Sequence, residues 1–177
     1  TYTSARKAVE DAMLLMSEGK SNHAVTSMGL LAKSAFTSLQ NMVADQHITS
    51  LFAESADAKT ARETGDWLEI ITLGNEYYRD ALVVDKNGVC IASSNPGHIG
   101  HSYADREYVR NALGGMFTLG DLSVGKVTKK FSAFFAGPVD AEGQVAGALV
   151  LVNDFPKIVD YDERKSFDSQ TIFTAML

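Results

Sequence analysis

The stretch with most to offer chemically is Asp105-Arg106-Glu107-Tyr108, which leads into the apolar face Val109, Ala112 and Leu113. A guanidinium in the first turn of a helix stands beside unpaired backbone N–H donors and the positive end of the helix dipole. That combination suits a carboxylate. Arg106 lies three residues before Val109, so it flanks the apolar face; the competing role is an exposed or salt-bridged arginine. Tyr103 and Tyr108 are able to stack on a ligand or offer a hydroxyl, and equally able to pack in a core. Lys126, Lys129 and Lys130 form a small basic cluster, one of which is placed to reach an anionic ligand. The ordinary role of such lysines is to keep a strand edge solvated. Trp67 and Tyr78 are further aromatic candidates whose ordinary role is packing.

Other signals weaken on inspection. Gly120-Asp121-Leu122-Ser123-Val124-Gly125-Lys126 spells the first part of a phosphate-binding loop, but Val127 stands where Ser or Thr is required. The residues that follow read as a strand, without the helix whose N–H groups cradle phosphate. His98 and His101 share a loop, yet no cysteine or carboxylate cluster supplies the remaining ligands of a zinc site. Cys90 is the single cysteine, which rules out an internal disulfide. It sits in an alternating strand context with no neighbouring base, the setting of a packing residue. No Ser/His/Asp or paired-carboxylate arrangement stands out, so neither a catalytic group nor a cofactor or metal is expected.

The elements that position these residues follow from periodicity. Val9, Ala12, Met13 and Met16 fall on one helical face, and after Gly19 the pattern resumes with Met28, Leu31, Ala32, Ala35, Leu39, Met42 and Val43. A single helix of some 40 residues would be about 60 Å long, more than a small domain is wide. Part of it would need a partner, most simply a second copy of the chain. The alternative is two helices broken near Gly19 and folded back. Shorter helical pieces are expected between His47 and Gly74. Tyr77–Val84, the turn Asp85-Lys86-Asn87-Gly88 and Val89–Ser94 make a β-hairpin. A short helix fits Asp105–Leu113, with Asp105 as N-cap and Gly114-Gly115 as stop. A strand over Lys126–Ala136, a turn at Asp140-Ala141-Glu142-Gly143 and a strand over Gln144–Asp154 follow, with a further strand expected between Met116 and Leu122. Helices followed by hairpins make this an α+β chain with an antiparallel sheet.

Composition agrees with one globular core: 177 residues, 45% hydrophobic and 21% charged. A net charge of −6 spread along the chain argues against a nucleic-acid binder. No apolar run reaches the ~20 residues that cross a bilayer. The chain opens at Thr1 without a leader, which reads as a processed or excised segment.

In order and spacing, several of these segments resemble the Cache family, the extracytoplasmic PAS-like sensor domains of bacterial chemoreceptors and sensor kinases. Tyr77–Gly88, after a long leading helix, resembles the family's first hairpin. Gly100–Gly115 resembles its pocket helix, with Asp105-Arg106 and an aromatic at the start and Ala112-Leu113-Gly114-Gly115 at the end. Gly137-Pro138-Val139-Asp140 through Gly147-Ala148-Leu149-Val150 resembles the final hairpin. The resemblance covers about residues 25–155, and no single motif in it is specific.

The resemblance implies a PAS-like antiparallel sheet with a long N-terminal helix packed on it and a short pocket helix. It divides the chain into a helical part (1–74), a binding module (75–157) and a connector (158–177). That connector is either the start of a second module or a membrane-proximal segment. It implies a periplasmic or extracellular ligand sensor within a bacterial inner-membrane receptor, homodimeric through the long helix, with the ligand between sheet and pocket helix. The family's amino-acid binders carry a tyrosine five residues before the arginine, tryptophan and tyrosine two and three after it, and an aspartate on the final strand. Here His101, Tyr108, Val109 and Val152 hold those positions. Valine does not pair with an ammonium, and an unpaired buried ammonium is costly, so a carboxylate without an α-ammonium is expected over an amino acid. The competing expectation is a dimerisation or protein-interaction module whose pocket is filled by Phe131, Phe134 and Phe135.

Overall fold

The computed structural model of the chain describes residues 21–154, with side chains from Ala32 onward except at 119–122 and 131. The helical pattern before Ser21 and the expected connector at 158–177 lie outside the described residues. Helix α1 (Ser21–Val43) runs unbroken for about 35 Å at 1.5 Å per residue. Ala35, Leu39 and Met42 form its buried face. Asp45 then caps the short helix α2 (Gln46–Thr49) by accepting from His47 N at 2.9 Å, and a 3₁₀ turn follows over Ser50–Phe52. Asp57 caps α3 (Ala58–Leu73) in the same way, accepting from Thr60 N. Thr64, Leu68 and Thr72, four apart, are the buried stripe of α3. Thr64 also donates to His47 O at 2.8 Å, which ties α3 to α2.

Five antiparallel strands follow: β1 (Tyr78–Asp85), β2 (Cys90–Ser93), β3 (Thr118–Val124), β4 (Phe131–Ala141) and β5 (Gln144–Asn153), in the spatial order β2-β1-β5-β4-β3. The sheet is covered on both faces. Ala81, Val83, Ala133, Phe135, Leu149 and Leu151 pack with α1–α3. Leu82, Val84, Phe134, Ala136, Val150 and Val152 pack with α4 (Glu107–Leu113) and Tyr103. Double coverage explains why β5 reads as an apolar run and not as an alternation: every residue from Gly147 to Asn153 is buried. At Gly147 any Cβ would collide with the Val84 carbonyl and the Phe52 ring, so the helical layer sits directly on this strand. The architecture is the expected α+β one.

Three local expectations need correction. The helix start lies later: Arg106, not Asp105, occupies the cap of α4, in extended backbone and without a side-chain cap. Residues 125–130 form a turn instead of the first half of a strand. Lys129 N donates to Gly125 O, Gly125 N donates to Lys130 O, and Lys129 adopts a φ of +55°. The turn carries Lys126 away from the strand edge and toward the α4 loop. Phe135 points to the helical face, so of the phenylalanines expected to fill the binding side only Phe134 is seen there.

Candidate functional site

On the α4 face, the residues opposite one another in register set the floor. Asp80 on β1 lies across from Val152 on β5, which lies across from Phe134 on β4. A bulge between Tyr78 and Asp80 allows an extra residue, Arg79, and changes the alternation there. Asp80 is 5% exposed and buried beside Leu82 and Val84, whereas Tyr78 belongs with the helical layer. Arg79 donates to Ser132 Oγ at 2.6 Å and pairs with Asp154 Oδ2 at 2.7 Å, neutralising the end of β5.

The roof is the loop and helix that follow β2. His98, in a 3₁₀ turn over Pro96–His98, is 3% exposed. Its Nε2 lies 3.2 Å from Asp80 Oδ2 and its Nδ1 lies 2.5 Å from the Tyr103 hydroxyl, itself on a residue only 2% exposed. Asp80, His98 and Tyr103 thus form one buried polar chain from the sheet to the roof. Burial pushes the Tyr103 hydroxyl up to about 12. A phenol so placed is not an activated nucleophile near neutral pH, despite the order carboxylate–imidazole–hydroxyl.

Arg106 closes the other side. Its Nη2 donates to Val124 O at 3.1 Å and so fastens the start of α4 to the end of β3. Its Nε is buried and has no protein partner, and the neighbouring Ser123 Oγ is in the same condition. Lys126 donates to Ser102 O at 2.6 Å and also to Asp105 Oδ1; its ammonium stands 5.5 Å from the centre of the Tyr103 ring. The Lys126 hydrogen bond outweighs slight desolvation and holds the Asp105 carboxyl below its ordinary range. Tyr108, 1% exposed, stacks on Phe134 with ring centres 4.8 Å apart and planes 9° apart. Arg106, Lys126 and Tyr103 therefore lie close together beside a floor that is apolar apart from Asp80, with Lys126 and Tyr103 already engaged by protein partners.

No protein-family model matches this sequence, and no curated protein matches it. Solved structures do. The sensor domain of the V. cholerae histidine kinase DctB aligns at a TM-score of 0.69 and 19% identity, over 88% of this chain and 59% of that one. The E. coli DcuS sensor domain aligns at 0.61 and 12% identity, over 76% of this chain and 96% of that one. The C. jejuni chemoreceptor Tlp3 ligand-binding domain, solved with 4-methylisoleucine, aligns at 0.58 and 12% identity, over 77% and 57%. This chain has the PAS-like sensor-domain fold. It spans about three fifths of the DctB and Tlp3 domain chains and nearly all of the DcuS sensor-domain chain.

Within that sensor fold, the residues singled out from sequence divide into two groups. Arg106, Tyr103, Tyr108 and Lys126 come together around α4. Trp67 and Tyr78 do not join them: both pack on the helical face, Trp67 stacked 4.9 Å from the His47 ring. Tyr78 instead helps line an open groove of about 320 Å³ beside α1 with Ser34, Asn75 and Asn153. His101 is exposed and contributes its backbone oxygen to Cys90 N. The histidine that enters the site is His98, and its partner Asp80 was hidden within a strand. A single acid at the start of an apolar strand run was the available signal for Asp80. Among the described residues, no three His, Cys, Asp or Glu side chains gather to hold a metal.

Proposed function

We propose that this chain is the extracytoplasmic ligand-sensing domain of a bacterial receptor, a binding module and not an enzyme. We propose further that it takes a small carboxylate between the sheet and α4. The observation that carries the reading is the buried, unpartnered Nε of Arg106. A buried donor left unpaired costs on the order of 1–3 kcal/mol, which a ligand oxygen recovers by accepting from it. Lys126, with its ammonium over the Tyr103 ring, adds positive charge at the same end of α4, and the fold shared with DctB, DcuS and Tlp3 supports the assignment to sensing. Residues 75–157 are then the binding module, and α1 carries the bound state's bias toward the membrane and a cytoplasmic output.

The ligand reading disfavours an α-amino acid, because the acid nearest Val152 across the sheet is Asp80, already engaged by His98. The Tlp3 ligand-binding domain was solved with 4-methylisoleucine, an amino acid, and this reading sets the ligand of the present chain apart from it. The test is calorimetric titration with small mono- and dicarboxylates, against wild type and Arg106→Ala. Losing a charge-assisted hydrogen bond predicts an affinity drop of roughly tenfold to a hundredfold. Binders indifferent to R106A overturn the site. A second reading, a dimerisation module with a filled interior, is favoured by the Tyr108–Phe134 stack over the sheet. It predicts no binder in the titration.

A further inference from the structure

The Asp80–His98–Tyr103 chain is more elaborate than a roof needs. The charged and titratable groups around His98 and Tyr103 are Asp80 on β1, Cys90 on β2, Arg106 at the cap of α4 and Lys126 in the turn after β3. Arg79, next to Asp80 in sequence, is taken by Asp154 and Ser132.

A neutral imidazole carries one N–H and one lone pair. An ionised Asp80 accepts hydrogen bonds and donates none, so Nε2 must hold the proton. Nδ1 is then the acceptor, and the Tyr103 hydroxyl is obliged to donate to it at 2.5 Å. In that state the phenol proton points into the protein. When the imidazole takes up a second proton, both ring nitrogens become donors. Nδ1–H then points at the Tyr103 oxygen, and the hydroxyl has to direct its own proton elsewhere.

Resting on the reading of the α4 face as the ligand site, we infer that His98 is a proton switch for that site. Its protonation turns the Tyr103 hydroxyl from an inward donor into a donor to the bound carboxylate, so anion binding takes up a proton. Two features favour the protonated state more strongly when an anion is bound than in the ligand-free protein. The ligand's charge offsets the extra positive charge beside Arg106 and Lys126, and its oxygen accepts the released phenol proton. The sign follows: affinity rises as pH falls through the titration of His98, until the ligand itself protonates. Asp80 acts as the positioning residue, because it fixes which nitrogen carries the first proton.

Two measurements separate this switch from the site it serves. The first is long-range ¹⁵N NMR of the His98 ring in the ligand-free protein between about pH 5 and pH 9. The switch predicts an Nε2–H tautomer at high pH that converts to the doubly protonated ring as pH falls. An Nδ1–H tautomer, or a ring that never titrates, overturns the switch. The second is calorimetry with acetate, lactate and oxalate between about pH 6 and pH 8, where these probes are ionised. It is run in buffers of differing ionisation enthalpy. Wild type should lose up to about tenfold in affinity per pH unit above the His98 midpoint and take up as much as one proton. Tyr103→Phe should bind more weakly with a shallower profile, and His98→Asn should be flat. A wild-type affinity independent of pH, or a Tyr103→Phe variant that keeps the slope, overturns the inference while leaving the site intact. If no probe binds, the ligand-site reading and the inferred coupling both fail, and the NMR result still decides whether the ring switches.

Discussion

At the scale of single residues, the polar groups of the α4 face come from positions far apart in the chain: Asp80 meets His98, and Arg106 reaches Val124. Arg106 and Tyr103 stood out because their neighbours in sequence announce a helix start. Asp80 and His98 are 18 positions apart and meet because ordinary strand alternation puts Asp80 on the roof side with Leu82 and Val84, while the bulge sends Tyr78 to the other face. Choosing between His98 and His101 required knowing which of two loop positions is covered, and that depends on the loop path between Gly88 and Tyr103. Cys90 is a packing residue, as its strand context implies: it is 1% exposed, and burial pushes its thiol from 9.0 to about 12. Two results follow. The native protein should resist maleimide at mildly alkaline pH and react once denaturant unfolds it, as mass spectrometry would show. Because the folded pKa is the higher one, the contribution of this thiol to stability is complete below 9.0 and is lost as pH rises toward 12. Denaturation midpoints should therefore fall over that alkaline range less steeply in Cys90→Ala than in wild type.

At the scale of elements, turns whose geometry demands particular residues gave both hairpins away, and the one built on an unusual residue stayed hidden. Asn87-Gly88 and Gly143 marked their turns, with Gly88 at φ +76° and Gly143 at φ +78°. Lys129 at φ +55° carries no such signal, so the turn that delivers Lys126 to the α4 loop read as strand. Capping was misplaced by one residue because Asp105 has another task, holding Lys126. Glu142 also sits at positive φ, +53°, where a side chain larger than Asn is strained. Glu142→Asn should stabilise the β4–β5 hairpin by about 0.5–1 kcal/mol, read as a higher midpoint in thermal unfolding. The opposite sign is expected at Gly147. A methyl group there meets the backbone of Val84 and the ring of Phe52, and the strand has no room to retreat between two covered faces. Gly147→Ala should cost about 3 kcal/mol or more, or prevent folding outright.

At the scale of the whole molecule, the long-helix reading and the homodimer expectation come apart. Seven-residue spacings such as Ala35 to Met42 suggested a seam for a second chain. In the structure Ala35, Leu39 and Met42 are spent on the protein's own sheet, with Leu39 wholly buried. A coiled-coil period and a helix lying on a sheet demand the same apolar stripe, so sequence spacing alone does not distinguish them. If the chain also pairs with a second copy, the surface has to come from elsewhere, and Val9, Ala12, Met13 and Met16, outside the described residues, are one apolar set with helical spacing in the sequence. The two roles then separate experimentally. Leu39→Ala should lower stability by about 2–5 kcal/mol in chemical denaturation while leaving self-association in sedimentation unchanged. On that hypothesis, the pair Met13→Lys and Met16→Lys should do the reverse, weakening self-association with little effect on unfolding at fixed low concentration. Association that survives both lysines but vanishes with Leu39→Ala would return the seam to α1's sheet-facing stripe. The helix would then have to exchange one partner for the other on association.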